Sequence, residues 1–116
     1  MGEAPPVSYE LDGHGAATIR IAGELDLVAG DLVVDAVAIA IGALAAPTGG
    51  EAEVQLDLSE VSFIDCAGLS SLLRARRSAT SQGCALRIRA MAPAVRRLLE
   101  LAGALEELAG GLHDPA

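Results

Sequence analysis

The sequence holds one tyrosine, one phenylalanine and no tryptophan in 116 residues, so no aromatic cluster can anchor it. Its core has to be filled by Leu, Ile, Val and many Ala, which demands close packing of small elements. Lysine is missing: all eight basic residues are arginines, set against sixteen acidic ones for a net charge of -8. A surface of that sign repels phosphate backbones and anionic membranes, which argues against a nucleic-acid binder. Two cysteines, Cys66 and Cys84, are too few for a disulfide scaffold and are read as free thiols. A helix of about 14 residues between them would span roughly 20 Å, whereas a bridge needs Cα atoms within about 7 Å.

Long hydrophobic runs are also absent. The most apolar stretch, residues 36–46, is bracketed by Asp35 and Pro47, and it falls well short of the roughly 18 to 20 residues of a membrane span. Residues 1–6 have neither the basic start nor the apolar stretch of a secretory signal. Pro6 stands where a myristoylation motif would carry Ser or Thr. No direct membrane insertion is expected, and a cytoplasmic location is the default. Catalytic parts are equally scarce. The sequence has no GxxxxGK[ST] loop, GxSxG elbow or HExxH pair. His14 falls in a turn and His113 in a tail, neither with a Cys or carboxylate at metal-ligand spacing. An enzyme, a metal site and a cofactor are therefore not expected.

What is present reads as one α/β domain, since a chain this size with 52% hydrophobic residues can bury a single core without staples. Val7, Tyr9 and Leu11, then Ala17, Ile19 and Ile21, alternate with polar residues around Asp12-Gly13-His14-Gly15 and predict a hairpin. Gly23-Glu24-Leu25-Asp26 breaks that period as a loop, and Asp26 is placed to cap a helix running to about Leu44. Val34, Val37, Ile41 and Leu44 form one stripe of this helix, while Leu32, Ile39, Ala36, Ala40 and Ala43 leave the rest apolar as well. Val54, Leu56 and Leu58 predict a third strand, followed by an irregular passage from Ser59 to Asp65. A second helix is expected to start at Cys66 to Gly68 and stop before Gly83, with Leu69, Leu72, Leu73, Ala75, Arg76 and Ala79 on its inner face. Residues 85–90 predict a fourth strand, and Pro93 opens a third helix that Gly103 ends. A short turn of helix and a frayed tail complete the chain. The boundaries that follow are a flexible start at 1–6, a domain at 7–108 and a flexible tail at 109–116.

The informative segment is Asp57-Leu58-Ser59-Glu60-Val61-Ser62-Phe63-Ile64-Asp65-Cys66-Ala67-Gly68-Leu69. It delivers Asp65 to the mouth of a helix whose first turn is made of small residues, a corner suited to docking or to facing an anion. Asp65 can equally be a plain helix cap. Cys66 at that helix start can have its thiolate stabilised by free N–H groups and the helix dipole, or be a small packing residue.

This segment resembles the STAS family, the anti-sigma factor antagonists of bacterial partner switching. The family pattern D-L-S-x-V-x-F-I-D-S-S-G-L is matched at Asp57-Leu58-Ser59, Val61, Phe63-Ile64-Asp65 and Gly68-Leu69. Gly23-Glu24-Leu25-Asp26 resembles the second hallmark of the family and residues 92–99 its third-helix start. The resemblance implies a mixed β-sheet of four to five strands with helices packed on it. It also implies a non-catalytic role, capture of an anti-sigma factor kinase so that a sigma factor is released. Gly23, Glu24, Leu25, Asp26, Asp65, Cys66, Ala67, Gly68 and Leu69 are the expected partner-binding residues. Where regulated family members carry an acceptor Ser or Thr, this chain has Cys66 and Ala67, and the family's last helix is missing. Two other readings stay open: a STAS subunit of a lipid-transport or scaffold assembly, holding a transporter ATPase or forming a homodimer, and a thiol redox sensor working through Cys66.

Overall fold

The computed structural model describes residues 7–11, 15–44 and 52–109. The expected flexible start, the turn with His14, the tail with His113 and the loop at Pro47 lie outside the described residues. Eight elements follow in order: β1 (Val7–Leu11), β2 (Ala16–Leu25), α1 (Leu27–Ala43), β3 (Ala52–Ile64), α2 (Cys66–Ser81), β4 (Cys84–Met91), α3 (Pro93–Ala102) and α4 (Leu105–Ala109). The strands form one mixed sheet in the order β1-β2-β3-β4, with β1 antiparallel to β2 and the other two pairs parallel.

Alternation within the strands decides which face of the sheet is dry. Ala17, Ile19 and Ile21 of β2, Val54, Leu56 and Leu58 of β3, and Leu86 and Ile88 of β4 are buried on one side. They meet Val33, Val37 and Ala40 of α1 and Leu72, Ala75 and Ala79 of α2 in one hydrophobic cluster. The other face carries exposed Glu10, Arg20, Arg87 and Arg89 around a half-buried Asp57. Parallel strands are usually covered on both faces; here a row of alternating charge keeps the second face wet.

Asp57 is the centre of that row. Partial burial works against its charge, but bonds from Ser59 Oγ (2.6 Å) and Ser59 N (3.0 Å), followed by the fields of Arg89 and Arg20, outweigh it and hold the carboxyl below its ordinary 3.8. Arg20 also donates to Glu10 on β1, which is the first cause of its raised pKa. A carboxylate whose folded pKa is depressed adds stability above its unfolded pKa and loses it as pH falls through the folded value. Asp57→Asn is therefore expected to be less stable than wild type near neutral pH. That gap should close as pH falls below the ordinary carboxylate value and through the lower folded one, as followed by urea unfolding; a constant gap would refute the account.

Four sequence expectations need correction. Ser59 to Ile64 is not an irregular passage but the second half of β3. Its register against β2 slips between Arg20 and Ala22 and again between Gly23 and Glu24, each time with an extra residue on β3. Such bulges break the period of two, so Leu58, Val61 and Ile64 are the inward residues of this stretch. Gly23-Glu24-Leu25 likewise belongs to β2 and not to a loop, with Gly23 at φ 85 beside the second slip. On α1 the inward stripe is Ala29, Gly30, Val33, Val37 and Ala40, and Val34, Ile41 and Leu44 only border it. Finally, the last helix is not missing. After Gly103 (φ 72) ends α3, the five-residue α4 follows, with Leu108 and Ala109 buried. Ala109, assigned to the tail from sequence, thus closes the described domain.

Candidate functional site

The candidate site lies where β2 and β3 end side by side. Leu25 pairs with Ile64, so the next residues, Asp26 and Asp65, leave adjacent parallel strands together and each starts a helix. Both are N-caps: Asp26 Oδ1 accepts from Ala29 N at 3.0 Å and Asp65 Oδ1 from Gly68 N at 2.9 Å. The caps each satisfy one of the first-turn N–H donors that a helix start leaves without an intrahelical partner. Two positive helix ends are thereby set next to each other, each with a carboxylate in place.

Burial divides the nine expected residues. Gly23, Glu24 and Cys66 are exposed, and Asp26, Asp65 and Ala67 are half-buried, so six can meet a partner. Leu25, Gly68 and Leu69 are buried and cannot offer a surface. They shape the corner from beneath. A Cβ at Gly68 would run into the Leu25 carbonyl, 2.9 Å from its carbon, so glycine is what lets α2 begin against the end of β2. The Asp65 N–H donates to the same Leu25 oxygen at 3.4 Å. Cys66 is exposed and Cys84 buried, and neither is in a disulfide.

Sequence reasoning passed over the apolar rim of this corner. Leu27 (57% exposed), Val28 (70%) and Phe63 (50%) flank the two caps. Phe63 pairs with Glu24 across the bulged ends of β2 and β3. The signal for Phe63 was its position two residues before Asp65, but an unrecognised bulge hid the side on which it emerges. Ser71 was also missed. It is fully buried, donates from Oγ to the Ala67 carbonyl at 3.1 Å and accepts from Arg74 Nη2 at 3.0 Å. Arg74 reaches on to Asp31 Oδ1 at 3.2 Å and ties α2 to α1.

Among the described residues no group of three or more His, Cys, Asp or Glu is placed to hold a metal ion, and no helix is long and apolar enough to cross a membrane. The corner thus combines twin capped helix starts with an exposed apolar rim. The model of the family described as "Mlab, STAS domain" matches residues 9–109. The chain belongs to the STAS family. Its fold is similar to that of the anti-sigma factor antagonist SpoIIAA in its unphosphorylated form, at 22% identity and TM-score 0.67 over 84% of this chain and 81% of that one. An anti-sigma factor antagonist from Mycobacterium paratuberculosis is similar at 24% identity and TM-score 0.68, over 88% of this chain and 80% of that one. A sulfate transporter family protein from Wolinella succinogenes is similar at 19% identity and TM-score 0.60, over 82% and 72%. At these identities the likeness is one of fold. No curated protein matches the chain.

Proposed function

We propose that this STAS domain is a non-catalytic, cytoplasmic regulatory module that captures an anti-sigma factor of the kinase type and so frees a sigma factor. The observation that carries the reading is the corner itself, where Asp26 and Asp65 cap neighbouring helices beside exposed Glu24, Cys66 and Phe63. The likeness of fold to two anti-sigma factor antagonists supports it. Asp65→Ala tests it. Loss of the cap alone is expected to cost about 0.5 to 2 kcal/mol of fold stability, and affinity for the copurified native partner should fall further than that loss explains. Unchanged affinity in the folded variant would reduce Asp65 to a helix cap.

The reading also holds that the usual phosphorylation switch is disabled, because Cys66 and Ala67 lack the hydroxyl expected between Asp65 and Gly68. Incubation with the partner kinase and ATP is expected to leave wild type unmodified and to place phosphate on Cys66→Ser or Ala67→Ser, read by intact mass. Stoichiometric phosphate on wild type at this segment would refute the claim. Phosphate on exposed Ser62 or Ser70 would show that the acceptor has moved, whereas Ser71, buried with its Oγ bonded, is out of reach.

A second reading, a STAS subunit of a transport assembly, is favoured by the likeness to a sulfate transporter family protein. Identification of the copurified partner as a transporter component would decide for it.

A further inference from the structure

Helix α1 is apolar on two sides, and only one of them is used by the fold. Its inner side, Ala29, Gly30, Val33, Val37 and Ala40, is buried. Roughly opposite at about 100° per residue, Val28, Leu32, Asp35, Ile39 and Gly42 are all exposed. Val28 is 70%, Leu32 44% and Ile39 56% open to solvent. Their alternating spacing of four and three residues is the seam pattern by which one helix packs along another. The stripe runs for about 21 Å along α1. Gly42 at its end has no explanation inside the chain: its φ is not positive, and an added Cβ would meet nothing within 4 Å. An exposed helix glycine weakens the helix relative to alanine, and it lets another backbone approach closely.

The charges select the occupant. Asp31 is held by Arg74, which leaves Asp35 as the charge in the middle of the stripe. A second copy related by a two-fold axis would pair the stripe with itself about its centre, and Asp35 would face Asp35 in an apolar seam, where like charges are costly. A lipid surface is answered by basic side chains flanking the apolar face, and this helix offers only acidic ones. A helix with a basic residue between apolar ones fits both features. Resting on the binding-module reading above, we infer that the outer face of α1 seats one amphipathic helix of a protein partner. That helix carries Arg or Lys opposite Asp35 and passes closest at Gly42.

The test uses the full chain and a labelled synthetic amphipathic helix of about three heptads, with Leu at the seam positions and one central Arg, followed by fluorescence anisotropy. Wild type is expected to bind it. Ile39→Asp and Asp35→Arg, both at exposed positions, should weaken binding about tenfold, with folding checked by circular dichroism. A peptide with Glu in place of Arg should bind Asp35→Arg better than it binds wild type. Gly42→Ala should raise the melting temperature and yet weaken binding, a pair of effects that a purely structural role would not produce. No binding to wild type, or equal binding by all variants, overturns the inference. So does a dimer of the chain alone that Ile39→Asp dissolves, which gives the face to a second copy. Sedimentation with phosphatidylglycerol vesicles that Ile39→Asp abolishes would give it to lipid. None of these outcomes touches the Asp65 corner, whose own test is partner affinity of Asp65→Ala.

Discussion

Gly68→Ala is expected to destabilise the protein by about 3 kcal/mol and to remove partner binding with it. Helix propensity predicts the opposite sign, because alanine is better than glycine within a helix by about 1 kcal/mol. The close approach decides. The new methyl would overlap the Leu25 carbonyl, lying 2.9 Å from its carbon and 3.1 Å from Leu25 Cγ. The oxygen it strikes is backbone, and Leu25 is fully buried between β3 and the helices, so no flexible side chain can move aside. Relief requires α2 to lift away from the end of β2, which breaks the Asp65 N–H bond to Leu25 and separates the two caps. Urea unfolding measures the effect. Gly42→Ala is the control: with open space around it, it is expected to gain up to about 1 kcal/mol. A Gly68→Ala protein as stable as wild type would show that the corner is not built on this contact.

Much of the scaffold was legible in the sequence because the relevant signals are local. Val54, Leu56 and Leu58 alternate in the first half of β3, and Leu86 and Ile88 with Arg87 and Arg89 in β4, as the structure has them. Asp26 and Asp65 announced helix starts by residue type, and Gly103 announced the end of α3 by its tolerance of positive φ. What stayed hidden depends on partners distant in sequence. The bulges of β3 exist only in its pairing with β2, so Ser59 to Ile64 looked structureless and the side on which Phe63 emerges could not be read. Gly68 sits within the motif, but its close approach is to Leu25, some forty residues earlier in the chain. α1 misled for another reason: with apolar residues all round, periodicity could not tell Val33, which is buried, from Leu32, which is exposed.

The crossing of α1 and α2 supplies the last prediction. Gly30→Ala is expected to cost about 2 kcal/mol, and Ser71→Gly in the same chain to return most of that. A Cβ at Gly30 would lie 2.6 Å from Ser71 Cβ and closer still to its Oγ. Ser71 cannot rotate away cheaply, since its Oγ is bonded to the Ala67 carbonyl at 3.1 Å and to Arg74 at 3.0 Å in a fully buried position. Ser71→Ala should rescue less than Ser71→Gly, because it removes only the oxygen and leaves the 2.6 Å contact with Cβ. On its own Ser71→Gly should be destabilising, by about 0.5 kcal/mol or more from helix propensity, so the informative quantity is the departure from additivity in the double-mutant cycle. A rescue means that the two helices meet at these residues; strict additivity would mean that they do not. The same crossing fixes the relative placement of the helices that Asp26 and Asp65 cap. Gly30→Ala should therefore also weaken partner binding, although Gly30 is buried and not at the corner, and Ser71→Gly should restore binding together with stability.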